Sequence, residues 1–281
     1  MSEFISEFIF NKINVGATAP FDIVHVTDSH LTLADDRDDK RKIELSINRK
    51  RGFQNAEKYL IEAGEYAQKN GSVLCHTGDM IDFVSCANLD FAREYCEKYD
   101  PFFIAGNHEF SLYVGEAKED AAYREKSLSL VQSAFKSDIR FCSRVVNGVD
   151  LVGIDDGYYN FEESQYEALK NEVKKGLPII LFIHNPIFEP ELFKHAKSNG
   201  EVGIAYLTGA PAELIKDYPK DRFEQQKPDE LTLEVCDYIR NCEAIKAVVA
   251  GHLHYDFESS FEGGKMQFVT GIGTLRKISV I

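Results

Sequence analysis

The apolar positions of the chain follow two periods that alternate along its length. Apolar runs over 8–15 and in FDIVHVTD, VLCHTGD, FFIAGN, IRFCSRVV, VDLVGID, PIILFIH and AIKAVVAGH read as strands. Between several of them the spacing turns helical. Over 51–70, Phe53, Ala56, Tyr59, Leu60, Ala63 and Ala67 keep helical spacing until Gly71 stops the helix. Further helices are expected over 89–98, 119–135 and 162–175, and from a cap at Asp229 to Asn241. Asn147-Gly148 sits between two strand runs as a hairpin signal, and YDFESSFEGG with KMQFVTGIG reads as a closing hairpin. The alternation predicts an α/β chain with helices on the faces of a mixed sheet. Two stretches lack a period. The charged run ADDRDDKRK reads as a solvated loop, and NRKR after it as a solvated helix start. The long segment 185–228 reads as an irregular insertion whose Phe188, Phe193, Tyr206, Tyr218 and Phe223 can shape a substrate site.

Five of the apolar runs end in Asp, Asn or His, usually beside a glycine: Asp28 and His30, Asp79 and Asp82, Asn107 and His108, His184, and His252 with His254. In open α/β sheets, ligands bind at the carboxyl ends of strands, so these clusters can converge on one site. Their spread from residue 28 to residue 254 favours a single domain over the whole of 1–281, long enough to bury a sizeable core. The donors on offer are imidazole nitrogen, carboxylate oxygen and one amide oxygen. That set suits divalent Mn, Fe or Zn. Seven donors (Asp28, His30, Asp79, Asn107, His184, His252 and His254) exceed what one tetrahedral ion takes and match two ions sharing a carboxylate.

Composition narrows the classes. A formal net charge of −14 opposes the phosphate backbone, so no nucleic-acid partner is expected. Six cysteines without a CxxC pair suggest free thiols, neither a disulfide framework nor a thiolate zinc site. The acidic MSEFISEFIF start lacks the basic region of a signal peptide, and no run approaches a membrane span. A cytoplasmic location without a membrane partner is expected. Oligomeric state stays open.

In order, Asp28-x-His30, Gly78-Asp79-x-x-Asp82, Gly106-Asn107-His108-Glu109, His184-x-Pro186 and Gly251-His252-x-His254 resemble the five blocks of the calcineurin-like metallophosphoesterase superfamily. The resemblance implies a two-layer β sandwich flanked by helices, a four-layer αββα arrangement. It implies Asp28, His30 and His254 on one metal, Asn107, His184 and His252 on a second, and Asp79 bridging them. It further implies that a hydroxide between the metals attacks the phosphorus of a small-molecule phosphate ester. His108 would then be the catalytic acid beside the leaving group, and Asp82 the residue that orients it. Asn107 and His108 would also contact substrate.

Monoester and diester substrates stay open, as does a metal-binding regulatory protein that retains the site. Family protein phosphatases follow their Gly-Asp block with an Asp-Arg pair, whereas Asp82-Phe83 stands here, which argues against a phosphoprotein substrate. The Met80-Ile81 pair between Asp79 and Asp82 leaves no tyrosine for a di-iron tyrosinate centre. Asp155, Asp156, Tyr158 and Tyr159 end a strand and can line a substrate groove. Glu109 is read as a supporting or surface residue, His25 and His76 as sheet histidines, and His195 as solvated.

Overall fold

The computed structural model describes residues 2–115, 120–199 and 203–281. Strands β1 (Glu7–Ile13) and β2 (Phe21–Val26) are followed by helices α1 (Lys40–Arg49) and α2 (Ala56–Asn70), β3 (Val73–His76), α3 (Cys86–Tyr99) and a short β4 (Phe102–Phe103). Helix α4 (Ala121–Gln132) precedes β5 (Phe141–Val146), β6 (Val149–Ile154), α5 (Glu163–Val173) and β7 (Ile179–Ile183). Helices α6 (Pro190–Asn199), α7 (Ala212–Ile215), α8 (Lys220–Gln226) and α9 (Glu230–Asn241) lead to β8 (Ile245–Ala250), β9 (Phe257–Ser260), β10 (Met266–Val269) and β11 (Thr274–Val280).

These strands form two sheets, ordered β1-β11-β2-β3-β4 and β5-β6-β7-β8-β10-β9. Ile23, Cys75, Phe102 and Ile278 of the first sheet meet Leu151, Ile180, Phe182 and Val249 of the second in one apolar layer. The other face of the first sheet packs Val24, Val26 and Leu74 on Leu60 and Ala63 of α2 and on Leu89 and Ala92 of α3. The other face of the second packs Val152, Leu181 and Val248 on Leu169 of α5 and Val235 and Ile239 of α9. The result is the αββα sandwich expected from the sequence. Strands β6 and β7 are buried on both faces, which explains why VDLVGI and IILFI read as runs rather than as alternations. Asn147 and Gly148, both at positive φ (46° and 76°), turn the β5–β6 hairpin.

Four expectations change. The charged run feeds helix α1, which Asp39 caps by accepting from the Lys42 backbone N–H at 3.0 Å. No residue of α1 is buried: Ile43 and Ile47, one turn apart, are both exposed, so the helix adds no face to the core. The helix expected over 51–70 begins only at Ala56, and the one expected to begin at Glu119 has that residue outside the described ones. The 185–228 segment carries α6, α7 and α8. Finally, the expected hairpin forms as the antiparallel pair β9–β10, but the chain closes on a further strand, β11, which pairs parallel with β1 and antiparallel with β2. Its TLRKISV pattern hides an inward-facing Arg276, fully buried, whose guanidinium donates to Asn11 (2.6 Å), Glu258 (2.8 Å) and Thr270 (3.0 Å).

The six cysteines are free thiols. No helix among the described residues is long and apolar enough to cross a membrane.

Candidate metal centre

Strands β2, β3 and β4 run parallel, as do β6, β7 and β8, so their carboxyl ends lie together within each sheet. The first sheet presents Asp28, His30, Asp79 and Asn107 from its strand ends; the second presents His184, His252 and His254. Past the strand ends, the first two loops keep pairing: Asp28 N–H donates to Gly78 O (3.1 Å), His30 N–H to Asp79 O (2.9 Å) and Leu31 N–H to Met80 O (2.8 Å). Five of the candidate ligands, Asp28, His30, Asp79, His252 and His254, sit at φ between 49° and 68°. Left-handed backbone at non-glycine residues is costly and clusters where function holds it. Gly106 has a steric reason: a Cβ there would lie 2.3 Å from Asp79 Oδ1 and 2.7 Å from His184 Cε1.

The donor atoms face one another. His30 Nε2 lies 3.1 Å from His254 Nε2, and His184 Nε2 lies 3.1 Å from both His252 Nδ1 and Asn107 Oδ1. Asp79 Oδ2 stands between the two groups, 3.8 Å from His30 Nε2 and 3.3 Å from His184 Nε2. Asp28 Oδ2 accepts from Thr27 Oγ1 (2.7 Å) and His252 N (2.8 Å), whereas its buried Oδ1 has no hydrogen-bond partner among the described residues and lies 3.5 Å from His254 Nε2. Imidazole nitrogens pointed at each other beside an orphaned carboxylate oxygen are a poor hydrogen-bond network and a good cation cage. The residues therefore fit a pair of divalent ions.

The outward ring atoms are fixed too. His184 Nδ1 donates to Thr77 O at 2.7 Å, His30 Nδ1 lies 3.0 Å from Asp82 Oδ1, and His252 Nε2 lies 2.7 Å from the Tyr159 hydroxyl. Such partners set tautomer and ring orientation at metal ligands. A third cluster, His30 with Asp82 and His108, also has metal-like spacing. There, however, Asp82 already accepts Arg49 Nε (2.7 Å) and Nη2 (2.8 Å), and a guanidinium repels a second cation.

Burial would neutralise these carboxyls, but their partners win. The imidazoles of His184 and His108 hold Asp79 well below the usual carboxylate range, and Arg49, His108 and His30 do the same for Asp82. In return, Asp79 chiefly, against desolvation, raises both His108 and His184 to about 10, while desolvation and the charge of His184 lower His252 to about 3. Beside these carboxylates the imidazole of His184 holds a proton that a cation can displace, whereas burial leaves His252 neutral.

His108 sits at the cavity edge with its side chain 17% exposed. Its Nδ1 donates to the Asp82 carbonyl at 2.7 Å and lies 3.3 Å from Asp82 Oδ1. Its own backbone N–H donates to Asp79 Oδ1 at 2.8 Å. Glu109 is no surface residue: fully buried, it accepts the backbone N–H of Asp79 (2.7 Å), Met80 (2.8 Å), Ile81 (3.2 Å) and Gly106 (2.7 Å). Burial and the charge of Asp79 raise it to about 7.

Of the residues expected to line a groove, Tyr158 packs at the side of Phe110 and under the Arg124 guanidinium, away from the cavity beside His108. Its neighbour Tyr159 makes the His252 contact. Asp156 holds the β7 end, accepting from His184 N (3.0 Å), Asn185 N (2.9 Å) and Thr208 Oγ1 (2.8 Å). Asp155 pairs with Arg140 at 3.2 Å and Arg124 at 3.5 Å. His25 is a buried sheet histidine between Thr270 (2.8 Å) and Thr77 (2.9 Å), His76 bonds Ser29 at 3.2 Å, and the half-buried His195 packs on Phe257. Arg49 and Phe53, whose ring stacks 4.2 Å from that of His30, were not legible as site residues. Phe53 keeps the spacing of a helix that begins only at Ala56, and Arg49 falls in NRKR, which reads as a solvated helix start and is in fact the end of α1.

A cavity of about 370 Å³ opens over Asp79, His108, His252 and His254. A larger one, about 700 Å³ between α4 and α5, has none of the candidate ligands in its lining.

Comparison with known proteins shows the family and the fold. A family model described as calcineurin-like phosphoesterase matches residues 21–256. A solved dimetal phosphatase from Danio rerio is similar in fold, at 13% identity and TM-score 0.52, over 90% of this chain and 88% of that one. A phosphopantetheinyl hydrolase from Mycobacterium tuberculosis matches at 12% identity and TM-score 0.44 over 91% of each chain. A 5'-nucleotidase from Candida albicans matches at 14% identity and TM-score 0.43, over 94% of this chain and 47% of that one. No curated protein matches the chain.

Proposed function

Because the chain belongs to the calcineurin-like phosphoesterase family, we propose that it hydrolyses small-molecule phosphate esters with two divalent cations. The observation that carries this reading is Asp79 Oδ2 standing between His30 Nε2 and His184 Nε2, at the centre of the converging candidate ligands. Asp28, His30 and His254 would hold one cation, Asn107, His184 and His252 the other, with Asp79 shared. Such a pair neutralises phosphoryl charge and makes water a nucleophile near neutral pH.

The chain's own groups do the rest. His108, pinned at Nδ1 by the Asp82 carbonyl, keeps Nε2 for the leaving oxygen and delivers a proton there as the ester bond breaks. Asp82 favours the protonated form of that imidazole, its Oδ1 lying 3.3 Å from Nδ1. Asp82 orients both His30 and His108 while Arg49 holds it in place. Glu109 fixes the loop that carries Asp79.

The test is hydrolysis of p-nitrophenyl phosphate and its bis ester, side by side, by protein reconstituted with manganese, iron or zinc. Turnover of either ester supports the reading, and the preference between them assigns the ester class. Silence on both under all three metals overturns it.

A further inference from the structure

Resting on the phosphoesterase reading, we propose that the 185–228 segment selects phosphate esters of uncharged, planar apolar alcohols and rejects esters bearing a second anionic group. The cavity of about 370 Å³ has the candidate metal ligands on one side. Its other side is built by Ala196, Ile204 and Tyr206 from the segment, with Leu253 and Tyr255 from the β8–β9 connection. This wall is a packed structure. Ala196 and Leu192 of α6 close on Ala205, Leu207 and Val269, with Leu253, Tyr255 and Phe257 against them. Behind these, Ile204 packs with Ala210, Ile215 and Tyr218.

Three features define what the wall accepts. The first is shape: the Tyr206 ring stands 5.8 Å from the His252 ring at 83° to it, giving a flat aromatic surface beside the candidate metals. A volume of this size takes one or two fused rings. The second is charge. Among the described residues no Lys or Arg lines the cavity, the nearest guanidinium of the segment, that of Arg222, lying over the Tyr206 ring at 5.8 Å. A carboxylate or second phosphate placed against Ala196, Ile204 and Leu253 would lose water and find on that wall only neutral donors such as the Asn199 amide, which also lines it. The third is a polar handle: Asn199 lines the same wall, its amide nitrogen donating to His195 O at 2.9 Å. It can bond one neutral polar atom.

The experiment compares kcat/KM for 2-naphthyl phosphate and 4-carboxyphenyl phosphate, whose leaving groups are similarly acidic. A ratio of at least about 10 in favour of the naphthyl ester is expected, in the range of apolar-pocket discrimination. In Tyr206→Ala and Ile204→Asp, each checked for unchanged metal content, the ratio should fall towards one. Equal rates in the wild type, or a ratio untouched by both substitutions, overturn the proposal. Calorimetry with 2-naphthylmethyl phosphonate and 4-carboxybenzyl phosphonate separates the two readings. Selective binding of the naphthyl compound without turnover keeps the wall's selectivity and removes the hydrolase. Turnover with equal binding of both compounds keeps the hydrolase and removes the selectivity.

Discussion

Arg49 grips Asp82 through two hydrogen bonds, Nε to Oδ2 at 2.7 Å and Nη2 to Oδ1 at 2.8 Å. The carboxylate is fully buried and the guanidinium about one-third exposed, so a helix with no buried residue of its own is tied to the centre by its last side chain. Removing one partner of such a pair leaves a buried charge alone. Arg49→Ala is expected to cost about 1–3 kcal/mol and to lower kcat/KM roughly 10–100-fold, the usual scale for a residue that orients a ligand. Arg49→Lys should recover part of both, since it keeps charge but loses the two-pronged geometry. Thermal unfolding and kinetics on the three proteins check this; an unchanged Arg49→Ala would contradict it.

Glu109 closes four backbone donors around the Asp79 turn. Glu109→Ala would leave those N–H groups buried without acceptors, at about 1–3 kcal/mol each before relaxation. A loss of at least about 3 kcal/mol is expected on that basis. Metal affinity should weaken with it, because the turn carrying Asp79 loses its anchor. Glu109→Gln should fall in between, since its amide nitrogen would face donors. Denaturant titration and metal analysis read the two effects, and a stable, fully loaded Glu109→Ala would contradict the assignment.

His108→Ala should reduce kcat by about 10²–10⁴-fold, as for a lost general acid. Its metal content should not change, since its Nδ1 is spent on the Asp82 carbonyl. Loss of metal would make it a ligand instead. A p-nitrophenyl ester, whose leaving group needs little protonation, should show a smaller loss than a phenyl ester.

Far from the centre, Asp150 is buried beneath Lys175 and close to Glu172, and burial first, then the neighbouring Glu172, pushes it up to about 6 from its ordinary 3.8. The folded state thus holds this proton more tightly, so stability falls as pH rises from about 4 to about 6 and stays reduced above. Glu172 moves the opposite way, as the partner that accepts the shared proton, and offsets part of the cost. Asp150→Asn is expected to stabilise the fold by about 1 kcal/mol at pH 7, after allowing for solvent screening, and not at pH 4. Thermal midpoints at both pH values decide it.

What the sequence shows and what it conceals follow from chemistry. Candidate ligands were legible because metal binding restricts residue type, spacing and position at strand ends together, so Asp28-x-His30 or Gly251-His252-x-His254 carries several constraints at once. Strands β6 and β7 were legible because burial on both faces leaves only apolar residues. Arg49 was not, because its partner lies 33 residues away and its helix faces solvent. Strand β11 was hidden by Arg276, whose charge reads as surface until Asn11 and Glu258 are seen to meet it inside. The role of Glu109 was hidden for a related reason: its acceptors serve backbone groups, which carry no sequence signature.

The most direct measurement is metal stoichiometry and phosphoesterase activity determined together on wild type and Asp79→Asn. The expected result is two divalent ions per wild-type chain with turnover, and in the variant fewer ions and no turnover. Wild-type activity in Asp79→Asn, or a wild type that binds no more metal than the variant, would contradict the shared-carboxylate centre on which the account rests.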